Sequence, residues 1–179
     1  SRKQEIKDNL PDMLEAAKSF VGDYQLVLAG APSIDPSYYQ RYIGDDVPVK
    51  IIFGQTYRLL QQAKAALVTS GTATLETALF RVPQVVCYYI PLGKFISFLR
   101  RHILKVKYIS LVNLVADKEV VRELVADTMT VQNVRAELDA LLNDEPYRNR
   151  MLQEYDRMIK ILGPAGASHQ AASKMIELL

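Results

Sequence analysis

Short apolar runs alternate with helix-like stretches through the first half of the chain. Each run has the length of a buried strand and is bounded by Gly, Pro or another turn residue, as strands of a parallel sheet are. The predicted strands are 25–29, 49–53, 65–69 and 84–89. The predicted helices are 5–20 with a break or kink at Pro11, 36–43, 56–63 and one that begins at 72. Parallel neighbours need a crossover helix, so this order predicts an α/β fold with a doubly wound parallel sheet.

The second half of the chain is richer in helix-like spacing. A further strand is predicted at 108–115, a short helix at 118–124, and two long amphipathic helices at 131–142 and 147–162. Gly163 begins a break, and a last helix is predicted at 169–179. We expect one domain over 1–163 and a separate terminal helix in 164–179.

The stretch 65–76 joins a predicted strand to a predicted helix through a tight turn. Ser70 and Gly71 break the strand, and Gly71 can take a positive φ or admit a ligand close to the backbone. Thr72 is the expected N-cap, followed by Ala73 in the first turn. A helix that begins at the carboxyl end of a parallel strand directs N–H groups and positive dipole into the crevice of the sheet, which favours phosphate. Glu76, one turn further, could accept hydrogen bonds from a ribose diol; the alternative is a capped helix without a ligand.

The composition favours a folded domain and argues against several kinds of partner and site. Of 179 residues, 49% are apolar, which is typical of a folded domain, and the net charge of +2 is too small to favour nucleic acid as a partner. No run of about 18 apolar residues is present, and the amino terminus carries no signal-peptide pattern. The single cysteine, Cys87, lies in an apolar run, so neither a disulfide framework nor a zinc cluster is predicted, and a reducing cytoplasm is expected.

A basic amphipathic stretch at 94–107 interrupts the α/β pattern. Its apolar and cationic residues include Phe95, Phe98, Leu99, Arg100, Arg101 and Lys105. A helix with this pattern can lie on an anionic membrane surface. The alternative is a surface helix whose apolar face packs on the core of its own domain.

Several stretches together resemble motifs of one bacterial enzyme family. The first stretch, Ser1-Arg2-Lys3-Gln4-Glu5-Ile6, is similar to the end of a Leu-Pro-Gly-Ser-Arg turn and the helix that follows it. The stretch 105–114 is similar to a Tyr-Ile-Ser-Leu-Pro-Asn-Leu segment. The other stretches are Ser70-Gly71-Thr72-Ala73-Thr74-Leu75-Glu76, Val82-Pro83 with the strand to Tyr88, and Gly166-Ala167-Ser168. The family is that of the lipid-A-disaccharide synthases, and nearly the whole chain resembles its carboxyl-terminal half. The resemblance implies a Rossmann-like UDP-sugar-binding domain of a GT-B type glycosyltransferase.

The resemblance implies an inverting transfer of a diacylglucosaminyl group from UDP to the 6-hydroxyl of diacylglucosamine 1-phosphate, in lipid A biosynthesis. No metal or other cofactor is implied, so helix N-termini and a cation must stabilise the leaving diphosphate. The implied donor site contains Arg2, Ser70, Gly71, Thr72, Ala73, Glu76 and Asn113, with Lys118 as a further candidate near the sugar phosphate. Both substrates carry acyl chains, which favours a peripheral position on the cytoplasmic face of the inner membrane.

Two departures from the family pattern matter. Val112 stands where the family usually has Pro, which leaves the backbone before Asn113 less constrained. The family's amino-terminal half, with the acceptor site and the expected catalytic base, has no counterpart here, so no catalytic residue is assigned. The chain is therefore interpreted as an excised donor-binding domain, whose terminal helix at 164–179 could pack on the other domain or swap within a homodimer.

Two other functions of nucleotide-binding α/β folds fit the sequence less well. A UDP-sugar epimerase of similar architecture needs acid and base groups at the sugar, but His102 and His169 are the only histidines and both lie away from the predicted strand ends. A non-catalytic nucleotide-binding module of flavodoxin-like topology needs acidic residues after its first strand. Asp23 does not have that placement, and such a module leaves the basic stretch at 94–107 unexplained.

Overall fold

The computed structural model describes residues 2–44, 47–69, 71–89 and 107–163. Its strands are β1 (Leu26–Gly30), β2 (Val49–Phe53), β3 (Ala66–Val68), β4 (Gln84–Tyr88) and β5 (Arg122–Val125). Its helices are α1 (Lys3–Ala17), α2 (Pro36–Gln40), α3 (Thr56–Leu60), α4 (Gly71–Leu79), α5 (Leu111–Ala116), α6 (Val131–Asn143) and α7 (Glu145–Leu162), with short 3-10 turns at Lys18–Phe20 and Ala126–Thr128.

All strand pairs in the described part of the chain are parallel, as the sequence pattern predicts. They form two sheets, β1-β2 and β3-β4-β5, rather than one continuous sheet. In the second sheet Val68 pairs with Val86, which in turn pairs with Glu123. These three residues are therefore level with one another at the carboxyl end of β3.

Strand β4 forms the centre of the larger core. Val85, Val86 and Cys87 follow one another and are all 2% exposed or less, so both faces of the strand are covered. Helices α1, α4 and α6 all contact β4. This arrangement of helices around a buried parallel strand is that of a doubly wound fold.

Helix α1 contributes to both of the hydrophobic clusters. Ile6 and Leu10 pack with β1, β2 and Tyr39 of α2. Met13 and Ala16 pack with the cluster formed around β4. One amphipathic helix thus holds the two sheets together, since its apolar stripe is shared between them.

Of the break or kink predicted at Pro11, the break is wrong, because α1 runs without interruption from Lys3 to Ala17. Pro11 lies on the exposed face, as does Lys7 four residues earlier. The Lys7 carbonyl, which loses its helical donor at Pro11, is therefore on the water side of the helix.

The predictions for 108–124 are also wrong. The expected strand at 108–115 contains α5, and the expected helix at 118–124 contains most of β5. The Ser110 hydroxyl accepts a hydrogen bond from the Asn113 amide and so caps α5. Val121 and Leu124 are buried at β5, whose backbone pairs with β4, so tertiary packing overrides the local helix-like spacing.

The other elements predicted within the described ranges are confirmed with small shifts of their ends, whereas the helix predicted at 169–179 lies outside these ranges. Strand β2 has the predicted bounds, and α6 and α7 are the two long helices expected after the sheet. Asp35 caps α2 by accepting a hydrogen bond from the Ser37 amide at 2.8 Å, although the helix ends at Gln40. None of the helices in the described ranges is both long and apolar enough to cross a membrane.

Gly30 gives a direct test of packing at the end of β1. A Cβ atom at this position would lie within 3 Å of three ring atoms of Phe53. We expect Gly30→Ala to lower the free energy of unfolding by about 1–3 kcal/mol, because the Phe53 ring must move. Urea unfolding followed by circular dichroism measures this, with Gly22→Ala as the control because no atom lies within 4 Å of a Cβ there. Equal stability of both variants would contradict the close packing.

Candidate functional site

The loop between β3 and α4 lies at the carboxyl edge of the second sheet. Strand β3 ends at Val68 and α4 begins at Gly71, one residue earlier than the predicted cap at Thr72. Thr72 is therefore inside the first turn, and the prediction that it is the N-cap is wrong. The position that precedes the helix is Ser70, which lies outside the described residues.

The start of α4 is stabilised from within. The Thr74 hydroxyl donates to the Gly71 carbonyl at 2.6 Å, and the Thr77 hydroxyl donates to the Ala73 carbonyl at 2.7 Å. The glycines with positive φ in the described ranges are Gly54 and Gly163, so Gly71 is helical and not left-handed. Its role must therefore come from its small size rather than from an unusual φ.

Gly71, Thr72 and Ala73 supply the first-turn amides of α4, which by geometry have no acceptor within the helix. Thr72 is exposed, while Gly71 and Ala73 are partly buried. Glu76 lies one turn later and is also partly buried. Within the described ranges, no other side chain forms a hydrogen bond or ion pair with the Glu76 carboxylate.

Arg2 is the N-cap residue of α1 and is exposed. Its backbone amide donates to the Glu5 carboxylate at 3.0 Å, which fixes the first turn of the helix. The Lys3 carbonyl accepts from the Tyr38 hydroxyl, and Tyr38 lies in α2, the helix that follows the carboxyl end of β1. Arg2 is thus placed on the carboxyl side of the first sheet.

Asn113 lies in α5 and is completely buried. Its side-chain oxygen accepts from the amides of Val120 and Val121 at 2.7 and 2.9 Å. Its side-chain nitrogen donates to the Val121 carbonyl at 2.8 Å and to Glu123 Oε1 at 2.9 Å. These four bonds use the full capacity of the amide, so the structure gives Asn113 the role of joining α5 to β5.

Glu123 is a residue that the sequence interpretation missed. Its carboxylate accepts hydrogen bonds from the Ile109 amide and from both the amide and the hydroxyl of Ser110, all at 2.8–2.9 Å. A carboxylate thus already occupies the N-terminal end of α5 and interacts favourably with the dipole of that helix. No local pattern marks Glu123, because its partners lie 10 to 14 residues earlier in the chain.

The starts of α4 and α5 are neighbours. A Cβ atom on Gly71 would lie 3.9 Å from the Ile109 carbonyl oxygen, and the two helices pack against each other. The N-terminal end of α5 is occupied by the Glu123 carboxylate, so an external anion in this region would have to bind at the start of α4.

Two further candidate residues have structural roles in the fold. Lys118 forms an ion pair with Glu154 on α7, and its hydrogen bond lowers the pKa of the Glu154 carboxyl. Cys87 is completely buried in β4, and burial raises the pKa of its thiol to about 12. A thiol that stays protonated at neutral pH is not a nucleophile.

A cleft of about 640 Å³ opens at the carboxyl ends of β1 and β2. It is lined by Pro32, Ser33, Ile34, Asp35, Pro36, Phe53 and Gly54. The buried hydroxyl of Tyr39 accepts from the Ala31 amide at 2.8 Å and fixes the loop that forms one wall. The cleft therefore lies on the same side of the first sheet as the start of α1.

Several predicted residues lie outside the described ranges. They are Ser70 and the proposed membrane contacts Phe95, Phe98, Leu99, Arg100, Arg101 and Lys105, together with the terminal segment 164–179. Their predicted roles stay predictions.

Comparison with known proteins gives one consistent family. The model of the lipid-A-disaccharide synthetase family matches residues 1–175. Lipid-A-disaccharide synthases from Psychromonas ingrahamii, Myxococcus xanthus and Syntrophus aciditrophicus are 35%, 37% and 34% identical to the chain over its whole length. The aligned part is 47–48% of each relative, so the chain spans about half the length of these proteins.

A solved structure supports the fold independently of sequence. CalG4, the calicheamicin glycosyltransferase, matches 93% of this chain and 38% of its own with a TM-score of 0.53 at 20% identity. This similarity confirms a Rossmann-like domain of the GT-B type. Since the family model covers nearly every residue and the fold agrees, the chain belongs to the lipid-A-disaccharide synthetase family.

Proposed function

We propose that this chain binds the UDP-sugar donor of a lipid-A-disaccharide synthase. The complete reaction would transfer a diacylglucosaminyl group from UDP to diacylglucosamine 1-phosphate with inversion, in the bacterial cytoplasm at the inner membrane. The acceptor site and the catalytic base are expected outside the chain, as the family resemblance implies. No catalytic residue is therefore assigned within it.

The N-terminal end of α4 carries this proposal. It follows β3 at the carboxyl edge of the sheet, where ligands bind in open α/β folds. The adjacent helix start is occupied by Glu123, so the first turn of α4, with Gly71, Thr72 and Ala73, is the helix end proposed to face the diphosphate of the donor. Ser70 and the guanidinium of Arg2 are proposed to complete the phosphate contacts, since a cation is needed where no metal acts.

Glu76 is proposed to accept hydrogen bonds from the ribose hydroxyls. It lies one turn beyond the phosphate-binding amides on the same helix, and its carboxylate is not engaged by other described side chains. Asn113 is proposed to act indirectly. Its amide holds α5 against β5, and α5 packs beside α4, so Asn113 positions the donor site without touching the nucleotide.

The ribose contact can be tested by isothermal titration calorimetry with UDP and 2′-deoxy-UDP. The chain should bind UDP about tenfold more tightly than the deoxy analogue, since a hydrogen bond to a charged group contributes about 1.5–3 kcal/mol. In Glu76→Ala the two ligands should bind equally. The control is Glu15→Ala, which removes an exposed glutamate from α1. Failure of the folded chain to bind UDP would refute the donor site, and discrimination retained by Glu76→Ala would refute the ribose role alone.

The positioning role of Asn113 predicts a loss of stability. Asn113→Ala removes four hydrogen bonds and leaves buried backbone groups unpaired, so the free energy of unfolding should fall by about 3 kcal/mol. Urea unfolding measures this, and Asn149→Ala, an exposed asparagine on α7, should change stability by less than about 0.5 kcal/mol. Unchanged stability combined with lost UDP binding would show direct contact instead.

The basic stretch at 94–107 is proposed to touch the anionic membrane surface that holds both acylated substrates. Arg100→Glu with Arg101→Glu should reduce co-sedimentation with vesicles of 30% phosphatidylglycerol by roughly tenfold, because each cation near such a surface contributes about 1 kcal/mol. Lys50→Glu with Lys64→Glu makes the same charge change at exposed positions elsewhere. Equal sedimentation of both double variants would exclude a specific membrane contact.

A further inference from the structure

A series of buried hydrogen bonds joins α7 to the start of α4. The Tyr155 hydroxyl accepts from Gln84 Nε2 at 3.2 Å, and the same nitrogen donates to the Thr74 carbonyl at 2.9 Å. The Thr74 hydroxyl in turn donates to the Gly71 carbonyl at 2.6 Å. The side chains of Thr74, Gln84 and Tyr155 are all completely buried. The series therefore ends at the residue with which α4 begins.

Gln84 is the first residue of β4, and its partners fix the orientation of its amide. The Thr74 carbonyl can only accept a hydrogen bond, so the amide atom that faces it must be the nitrogen. Burial raises the pKa of the Tyr155 phenol, which is therefore a neutral hydroxyl at physiological pH. Gln84 thus connects two helices to the strand at the centre of the larger core.

The residues on either side of Tyr155 hold α7 in place behind α4. Glu154 forms an ion pair with Lys118, just after the end of α5, and Asp156 forms one with Arg81, just after the end of α4. Partly exposed pairs of this kind contribute little stability individually. Together with the apolar packing of α7 in the core around β4, they make this helix a fixed support for the Tyr155 hydroxyl.

The two polar atoms of the Gln84 side chain are unequally satisfied. Its nitrogen makes two hydrogen bonds, whereas its buried oxygen has no hydrogen-bond partner within the described ranges. A buried acceptor without a partner lowers stability, and a methionine of similar length would fill the same space without that cost. The bonds of the nitrogen therefore explain a glutamine at this position better than stability does.

We infer that Gln84 is a positioning residue for the donor site and that Tyr155 supports it. Through Thr74, Gln84 holds Gly71 and the first turn of α4 where the diphosphate is proposed to bind. The inference rests on the proposed function. A helix end stabilises an anion through the direction and distance of its peptide groups, so a small displacement of this turn weakens the contact. Neither buried side chain touches the nucleotide.

Isothermal titration calorimetry with UDP and with uridine tests this role in the double variant Gln84→Met, Tyr155→Phe. The dissociation constant for UDP should rise about fivefold, while that for uridine, which has no phosphate, should not change. The variant removes the hydroxyl together with its amide partner, so no new unpaired group is created. Its urea unfolding midpoint should therefore be equal to or higher than that of the unaltered chain.

Tyr147→Phe is the matched control, because this tyrosine is also on α7 but its hydroxyl bonds to Glu137 on α6. It should leave both dissociation constants unchanged. The single variant Tyr155→Phe keeps the buried ring and should raise the dissociation constant for UDP about twofold, which provides the test if the double variant does not fold.

The outcomes distinguish the inference from the proposed function. A selective loss of UDP affinity without loss of stability supports the inference. Unchanged UDP affinity in the folded variants, an equal loss for UDP and uridine, or the same loss in Tyr147→Phe would overturn it and leave the donor site intact. Failure of the unaltered chain to bind UDP would refute the donor site and this inference together.

Discussion

The packing of α1 against two separate sheets is the constraint on which the rest of the structure depends. Ile6 and Leu10 bury their side chains on β1 and β2, while Met13 and Ala16 do so on the core around β4. Asn9 lies between these pairs, and its side chain accepts a hydrogen bond from the Tyr89 amide just beyond β4, which fixes the position of α1 along that strand. Because the strand pairs within each sheet are parallel, the carboxyl ends of the strands in each sheet lie at one edge of that sheet, and α1 contacts both sheets.

The neighbouring N-terminal ends of α4 and α5 differ in their electrostatic environment. At α5 a carboxylate from the same chain, Glu123, accepts from the amides of Ile109 and Ser110 just before the helix and interacts with its dipole. At α4 the internal hydrogen bonds of Thr74 and Thr77 stabilise the helix through carbonyl oxygens and leave its first-turn amides in place. The same physical property of a helix end therefore serves folding in one case and, in the function proposed here, ligand binding in the other.

Local patterns predict most of the fold because strands and helices of the first half differ in length and in bounding residues. Strand β2 is bounded by Pro48 and Gly54 and is found where it is predicted. The prediction for the segment 108–125 fails because the structure of this segment is decided by contacts between residues that are distant in the sequence. The bonds of Asn113 to Val120, Val121 and Glu123 connect a helix to a strand, and neither element has a decisive local signal. The break predicted at Pro11 is absent for a simpler reason, because a proline on the exposed face of a helix is tolerated.

The residues of the candidate site also differ in how much of their role can be predicted from the sequence. Gly71 to Glu76 is a contiguous motif, and its strand–turn–helix setting follows from sequence alone. The family resemblance selects Asn113 as a donor-site residue, but its side chain is completely buried in the protein. A motif reveals that a residue type matters, whereas only coordinates separate contact with a ligand from support of the scaffold.

The complete burial of Cys87 has a practical consequence for biophysical work on this protein. The native sequence contains one sulfhydryl, and the folded chain encloses it in the strand that forms the centre of the core. A cysteine engineered onto the outside can therefore be coupled to a maleimide dye or a spin label without first removing the original one. Single-site fluorescence and electron paramagnetic resonance reporters can be introduced into an otherwise unaltered background.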